Sequence, residues 1–191
     1  VNDLLDPSAA KPLLDAAQQR GPAYAELHRV WGDYFAAAGD GPSARKEYLA
    51  AQQAAGDDHN FVERTARLGA FARSTEDFLK SKQYVRAVEE LFQWQRAFPA
   101  EKLEGYWTLL YARYWIGREK YAQAIAQAER MQAVNPDSPH LDQLLYEAAR
   151  CEMIRGRKDR ALATLESLVK DCPGSPLAPT ARQAMEKLKG E

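Results

Sequence analysis

Three prolines recur in this chain at a constant spacing. Pro99, Pro136 and Pro173 lie 37 residues apart, and an alanine stands twelve residues before each of them. A period of about 20 to 50 residues is typical of repeat proteins, in which one unit cannot bury its own apolar face and neighbouring units must stack. The sequence therefore predicts a solenoid, a class of fold that commonly serves as a binding surface for other proteins.

Each unit carries the boundary signals of helices. The segments 135–139 and 172–176 both contain Pro-x-Ser-Pro. Proline cannot continue a helix, whereas Ser followed by Pro supplies an N-cap and a preset first turn. Between these junctions apolar residues recur every three or four positions, on two stretches separated by a turn at Arg155-Gly156-Arg157. The predicted fold is therefore all-α, with about ten helices arranged as antiparallel hairpins.

The repeat spacing also predicts the organisation of the chain. We expect one domain over residues 1–191, because every unit needs its neighbours to bury its apolar face. The last helix carries polar residues on its outer side, as the end of a stack requires. The predicted parts are an N-terminal helix at 1–21, repeats at 22–57, 58–100, 101–137 and 138–174, and a capping helix at 175–191.

Composition argues against two classes of partner. The chain has 26 basic and 27 acidic residues, so it lacks the basic excess of a nucleic-acid-binding protein. Its longest apolar stretches, such as Tyr106 to Tyr111, are far shorter than the roughly 18 to 20 residues that span a bilayer. We therefore expect neither nucleic-acid binding nor membrane insertion.

Catalytic motifs are absent from the sequence. His28, His59 and His140 fall in different predicted units. No His-Glu-x-x-His, Gly-x-Ser-x-Gly or glycine-rich phosphate loop occurs. Asp57-Asp58-His59 is the one metal-like cluster, and helix capping accounts for acidic residues at its position. We predict no catalytic residue, no metal site, no cofactor and no enzymatic activity.

The sequence also predicts whether the cysteines form a disulfide and whether the tryptophans are buried. Antiparallel packing would separate Cys151 from Cys172 by more than the Cα distance of about 7 Å that a disulfide tolerates, so both are expected as free, buried thiols. The four tryptophans stand among apolar neighbours at helical spacing, which predicts core packing. Trp107 is the one candidate for exposure.

The order of large and small residues in the last two units resembles that of the tetratricopeptide repeat family. The resemblance covers roughly residues 22 to 189 and implies a right-handed α-α superhelix with a concave groove. It is carried in one unit by Tyr111, Ala112, Trp115, Tyr121, Ala124, Ala128, Met131 and Pro136. In the next unit it is carried by Leu145, Ala148, Ala149, Gly156, Ala161, Leu165, Leu168 and Pro173.

The resemblance also implies which side chains line that groove. They come from the first helix of each unit, and Arg113 and Arg150 occupy equivalent positions 37 residues apart. A guanidinium presents a planar fork of donors that fits a carboxylate, and tyrosine adds rigid contact area. The alternative is that each arginine pairs with a nearby glutamate such as Glu147 or is solvated. The predicted peptide-binding residues are Tyr106, Leu109, Arg113, Tyr146, Arg150 and Met153.

Charged residues on two earlier helices are predicted to extend the same face. Glu76 and Lys80 belong to the second unit, and Glu26, Arg29 and Asp33 belong to the first. Because acidic and basic groups alternate, such a groove favours a polar peptide as ligand. The implied function is a non-enzymatic scaffold that binds a peptide or partner segment of unspecified identity.

A second function from another class stays open, namely a structural spacer or oligomerisation domain of a larger bacterial envelope protein. Exposed leucines near the N-terminus would favour it, and the candidates are Leu4, Leu5, Leu13 and Leu14. The first residue is Val, so we expect a piece of a longer product. The Pro-x-Ser-Pro junctions are similar to those of repeats in bacterial envelope assembly proteins, which favours envelope or periplasm over cytoplasm.

Overall fold

The computed structural model describes residues 7–21, 24–56 and 61–190. Over these residues the chain forms ten α-helices and two short 3₁₀-helices, with no strand. The predicted all-α class is therefore confirmed. The α-helices are α1 Lys11–Arg20, α2 Ala25–Ala37, α3 Gly41–Ala55, α4 Phe61–Lys80, α5 Tyr84–Ala97, α6 Tyr106–Gly117, α7 Tyr121–Val134, α8 Leu141–Ile154, α9 Lys158–Asp171 and α10 Ala178–Gly190. The 3₁₀-helices are Ser8–Ala10 and Pro99–Leu103.

Helices that are adjacent in sequence pack as hairpins. The pairs are α2 with α3, α4 with α5, α6 with α7, and α8 with α9. Contacts of α5 with α6 and of α7 with α8 join the last three hairpins, and α10 packs on α9. This packing of neighbouring helices is consistent with a helical repeat.

All four hairpin turns have the same backbone conformation. Each contains a residue with positive φ, and these residues are Gly39, Lys82, Glu119 and Gly156. In each turn the next backbone N–H reaches back five residues to a carbonyl oxygen, as from Lys120 N to Trp115 O at 2.9 Å. This is the Schellman ending of an α-helix. The last three of these residues are 37 positions apart, so the sequence period is also a period of backbone conformation.

The main core fills the space between α6 and α10. It is built from leucines such as Leu141, Leu144 and Leu165, each at most 1% exposed. The alanines that precede the recurring prolines are at most 3% exposed, because only a small residue lets the two helices of a hairpin approach closely at that position. These alanines are Ala87, Ala124 and Ala161.

The structure shows how deeply Trp107 and the two cysteines are buried. Trp107 is 2% exposed and its indole N–H donates to the Leu91 carbonyl at 2.8 Å, so its expected exposure is wrong. A buried hydrogen-bond acceptor at the right position makes full burial of an indole possible. Cys151 and Cys172 are both free, as predicted, with Cys151 buried and Cys172 half-buried.

The first hairpin contacts a distant part of the chain. Helices α2 and α3 pack against α7, and α3 also packs against the 3₁₀-helix Pro99–Leu103. Gly41 at the start of α3 lies so close to the Ala133 carbonyl that a Cβ atom would overlap it. Arg45 Nη2 donates to the Val134 carbonyl at 2.7 Å. The start of α3 is therefore fitted against the end of α7.

This docking buries most of a group of polar and charged residues that we call the Asp33 cluster: Glu26, Arg29, Asp33, Tyr48 and Lys102. Glu26 alone among them stays partly exposed. Asp33 accepts from Lys102 Nζ at 2.5 Å, from Arg29 Nη1 at 2.6 Å and from the Tyr48 hydroxyl at 2.8 Å. Arg29 also donates two hydrogen bonds to Glu26. The expectation that Arg29 and Asp33 extend a solvent-facing groove is therefore wrong, because they are 8% and 3% exposed, whereas the Glu26 side chain is 42% exposed.

At the N-terminal end, Leu13 is 74% exposed, whereas Leu14 is buried at 7%. Leu4, Leu5 and the cluster Asp57-Asp58-His59 lie outside the described residues. Within the described ranges, no helix combines the length and the apolar character that crossing a bilayer requires.

Candidate partner-binding groove

A cleft of about 300 Å³ opens beside α6 and α8. Helix α6 contributes Arg113, and the segment before α10 contributes Pro176 and Leu177. The residues from α8 lie within six consecutive positions, so somewhat more than one and a half helical turns form that wall. They are Asp142, Gln143, Tyr146 and Glu147.

Arg113 links the two helices of this cleft. Its side chain is half-buried, and Nη2 donates to Gln143 Oε1 at 3.2 Å. A neutral amide partner leaves the positive charge of the guanidinium uncompensated by this contact. Arg113 is therefore held in place by a contact that does not neutralise it, and its charge also acts on Glu76 of α4.

Arg150, the equivalent residue of the next unit, has a different environment. It is exposed, and Nη1 lies 3.1 Å from Glu147 Oε2 on the same helix. A pair three residues apart on a helix surface is a common and weak interaction. For Arg150 the pairing with Glu147 that the sequence offered as an alternative is the arrangement present.

Tyr106 lies at the start of α6 and joins α6 to α4. Its hydroxyl donates to the Glu76 carboxylate, and Lys80 Nζ lies 3.5 Å from the same carboxylate. The hydrogen bond from Tyr106 lowers the pKa of Glu76, and burial together with Glu76 raises the pKa of Tyr106 to about 12. At neutral pH Glu76 is therefore an anion and Tyr106 keeps its proton.

His140 is a neighbour of Tyr106 that the sequence pattern did not single out. The two rings are 4.8 Å apart between centroids, and His140 Nδ1 is buried without a hydrogen-bond partner among the described residues. Burial lowers the pKa of His140, which keeps the ring neutral at pH 7. The neutral ring therefore lies beside Tyr106 and within electrostatic reach of Asp142.

The Pro-x-Ser-Pro junction shapes the far wall of the cleft. Ser175 Oγ donates to Asp142 Oδ2 at 2.5 Å and accepts from the Leu177 N–H at 3.0 Å. In the preceding junction, Ser138 Oγ donates to the Glu104 carbonyl at 2.7 Å and accepts from the His140 N–H at 3.2 Å. Both serines thus tie a helix start to the previous unit.

The remaining predicted residues differ in accessibility. Tyr146 is half-buried in the cleft wall, and Met153 is 36% exposed near the end of α8. The expectation that Leu109 lines the groove is wrong, because its side chain is 0% exposed within the main core. Helix α6 packs against α4, α5, α7 and α8, so fewer of its positions face solvent than the repeat register implies.

Comparisons with protein-family models, with curated proteins and with solved structures find no match to this chain. Among the residues that the structure describes, no group of three or more His, Cys, Asp or Glu side chains is arranged to hold a metal ion. The feature of the described residues that bears on function is the cleft beside Arg113 with its charged lining.

Proposed function

We propose that this protein is a tetratricopeptide-like interaction scaffold that binds a peptide or partner segment in the groove beside α4, α6 and α8. The proposal involves no catalysis and no cofactor. The observation that carries it is the cleft of about 300 Å³ beside Arg113, in which a half-buried guanidinium is held by a hydrogen bond to the neutral amide of Gln143. Preorganised arginine in a concave surface is typical of residues that dominate binding energy.

The charges around the cleft indicate a polar ligand. Arg113 would pair with a carboxylate of the ligand, from a side chain or from a C-terminus. Asp142 and Glu147 line the same cleft and would accept hydrogen bonds from backbone N–H groups or from a basic side chain of the ligand. Tyr146 would supply flat contact area beside them.

The wider context of the proposal follows from the resemblance described above. A right-handed superhelix of tetratricopeptide-like hairpins would carry the groove on its concave side. The Pro-x-Ser-Pro junctions favour a bacterial protein of the cell envelope or periplasm.

One observation favours the second function, a spacer or oligomerisation domain. Leu13 on α1 is 74% exposed, which is the exposure that this function requires. Leu14 is buried against the first hairpin, and Leu4 and Leu5 lie outside the described residues.

A pull-down from the native organism tests the scaffold proposal. The bait is the wild-type chain or the double variant Arg113→Glu plus Arg150→Glu, and recovered proteins are quantified by mass spectrometry. The control variant is Arg118→Glu plus Lys120→Glu, which makes the same change in net charge at exposed positions of the α6–α7 turn. We expect the groove variant, and not the control, to lose the partner.

The single variants sharpen this test. Because Arg113 is half-buried in the cleft and Arg150 is exposed and paired with Glu147, Arg113→Ala should reduce partner recovery more than Arg150→Ala. A central binding arginine typically contributes about 2 kcal/mol or more, or about 30-fold in affinity. Unchanged recovery with the double groove variant would contradict the proposal.

A further inference from the structure

A second concavity lies on the opposite side of α8, between α7 and α9. We call it the α7–α9 groove, and its volume is about 360 Å³. Its floor is formed by Leu145, Ala148 and Glu152 of α8. At about 100° per residue, these positions point away from Gln143 and Tyr146, which line the first cleft. The two concavities are therefore separate sites.

Half of the residues in the walls of the α7–α9 groove have short side chains. Ala128 on α7 faces Ala163, Thr164 and Ser167 on α9. These short side chains, three of them on α9, leave the groove open down to α8. The alanine at position 163 is exposed, so the opening is accessible from solvent.

Glu152 at the end of this groove is an unusual buried carboxylate. The residue is 2% exposed, and its Oε2 atom has no hydrogen-bond partner among the described residues. Arg157 Nη1 lies 3.8 Å from Oε2, and Arg160 Nη1 lies 4.0 Å from Oε1, both beyond hydrogen-bond distance. The two guanidinium groups therefore offset part of the charge of Glu152, but neither donates a hydrogen bond to Oε2. A buried carboxylate oxygen without a hydrogen bond is costly, and such an atom in a cavity indicates a place for a donor from a ligand.

The shape of the groove suits one kind of donor. Of the described residues that line it, Glu129 and Glu152 are acidic and Arg160 is basic, and Arg157 reaches Glu152 from outside the lining. Leu145 and Ala148 offer an apolar surface leading to the carboxylate. A lysine side chain combines an aliphatic stem with a terminal ammonium group that donates three hydrogen bonds.

We propose that the α7–α9 groove binds a lysine side chain of a protein or peptide ligand, with its ammonium group against Glu152 and its stem along Leu145 and Ala148. The site is independent of the groove beside α6 and α8. One protein could therefore hold two partners on opposite sides of α8, or one partner that wraps around it.

The probe for this site is lysine blocked at both ends, Nα-acetyl-lysine methylamide, titrated into the full ¹⁵N-labelled chain. We expect amide shifts that saturate with probe concentration and that centre on Ala128, Ala148 and Ala163. The matched control is the norleucine analogue, which has a similar stem without the ammonium group. The arginine analogue tests whether the site selects an ammonium over a guanidinium group.

Two variants remove the site in different ways. Glu152→Gln keeps the shape and removes the charge, and should weaken lysine binding about tenfold or more. Ala163→Leu keeps Glu152 and fills the groove from its exposed wall, and should weaken binding similarly. Glu129→Gln, at an exposed position on the rim, should change it less than about threefold.

Three results would contradict lysine binding in the α7–α9 groove. Equal shifts from the norleucine or arginine analogue, or unchanged lysine binding by both Glu152→Gln and Ala163→Leu, would overturn the proposal. So would the absence of any shift at about 50 mM probe. Should Glu152→Gln fail to fold, as judged by circular dichroism, the Ala163→Leu variant decides between these results.

Discussion

Lys102 Nζ lies 2.5 Å from Asp33 Oδ1, and the two side chains are 4% and 2% exposed. They are 69 residues apart in sequence. Asp33 belongs to α2, and Lys102 belongs to the 3₁₀-helix Pro99–Leu103. This ion pair therefore joins the first hairpin to the connection between the second and third hairpins.

The two members of this pair should differ in their importance for stability. Asp33→Asn would leave both Arg29 and Lys102 without their shared anion, whereas Lys102→Met leaves Asp33 paired with Arg29. We expect Asp33→Asn to lower the free energy of unfolding by about 3 to 5 kcal/mol. Lys102→Met should cost less than about 1 kcal/mol, because an apolar side chain avoids the desolvation of a charge. Urea denaturation followed by circular dichroism measures both values.

The exposed pair of Lys11 and Asp15 provides the control for this comparison. Its side chains are 53% and 46% exposed, so Asp15→Asn should cost no more than about 0.5 kcal/mol. Equal costs for Asp33→Asn and Lys102→Met would contradict the predicted asymmetry.

Stability should also depend on pH through Lys102. Burial lowers the pKa of Lys102 from its ordinary 10.5 to about 8, although Asp33 acts in the opposite direction. Between these values the unfolded chain keeps a proton that the folded chain has released, so raising the pH favours the folded state. This gain is lost as the pH falls through about 8. From about pH 7.5 to about pH 9.5 we expect Lys102 to add about 1 to 2 kcal/mol to the free energy of unfolding.

The Lys102→Met variant isolates this effect from other titrations. Burial raises the pKa of Cys151 to about 11, so that thiol acts with the opposite sign above its ordinary pKa. Subtracting the variant's pH profile from that of wild type removes such contributions. A difference between the two proteins that stays constant with pH would show that Lys102 does not titrate in this range.

Gly41 should be required for the docking of the first hairpin. A Cβ atom there would overlap the Ala133 carbonyl, which belongs to the backbone and cannot rotate away. Gly41→Ala should therefore lower the free energy of unfolding by about 1 to 3 kcal/mol and speed hydrogen exchange in α2 and α3. Gly174→Ala is the control, since no atom lies within 4 Å of the position that its Cβ would take, and it should change stability little. Similar effects of the two substitutions would argue against close docking.

Glu119 should be replaceable by glycine with a gain in stability. Its φ is 58°, in the left-handed region, and its side chain is exposed. Glu119→Gly should raise the free energy of unfolding by about 0.5 to 1 kcal/mol, because relief of strain exceeds the entropy cost of glycine. The adjacent Arg118 has φ −93°, so Arg118→Gly should lower it instead. Thermal unfolding measures the two opposite signs, and a loss of stability with Glu119→Gly would contradict the prediction.

Much of the C-terminal architecture could be predicted from local signals. The Pro-x-Ser-Pro segments end α7 and α9 within one or two residues of the expected positions, since proline is tolerated in the first turn of a helix but cannot continue one. The turn at Gly156 follows from the glycine itself. The equivalent turns at Lys82 and Glu119 were less evident, because their residues do not favour positive φ and only the hairpin geometry imposes it.

The candidate groove was predicted only in part. The repeat register identified Arg113 and Tyr146, which line the cleft, but it also named Leu109, which is buried. It did not identify Leu177 or His140. Periodicity specifies the direction of a side chain on its own helix, whereas accessibility depends on how many neighbouring helices cover that direction.

The sequence by itself determined the all-helical class, the 37-residue period and the chemistry of the turns, because these depend on residues close together in the chain. Only the tertiary structure decided that the first hairpin packs on α7 and that Asp33 meets Lys102. The same applies to the unpartnered oxygen of Glu152 in the α7–α9 groove. Contacts between residues that are tens of positions apart depend on how several helices pack together, and no short stretch of sequence specifies that packing.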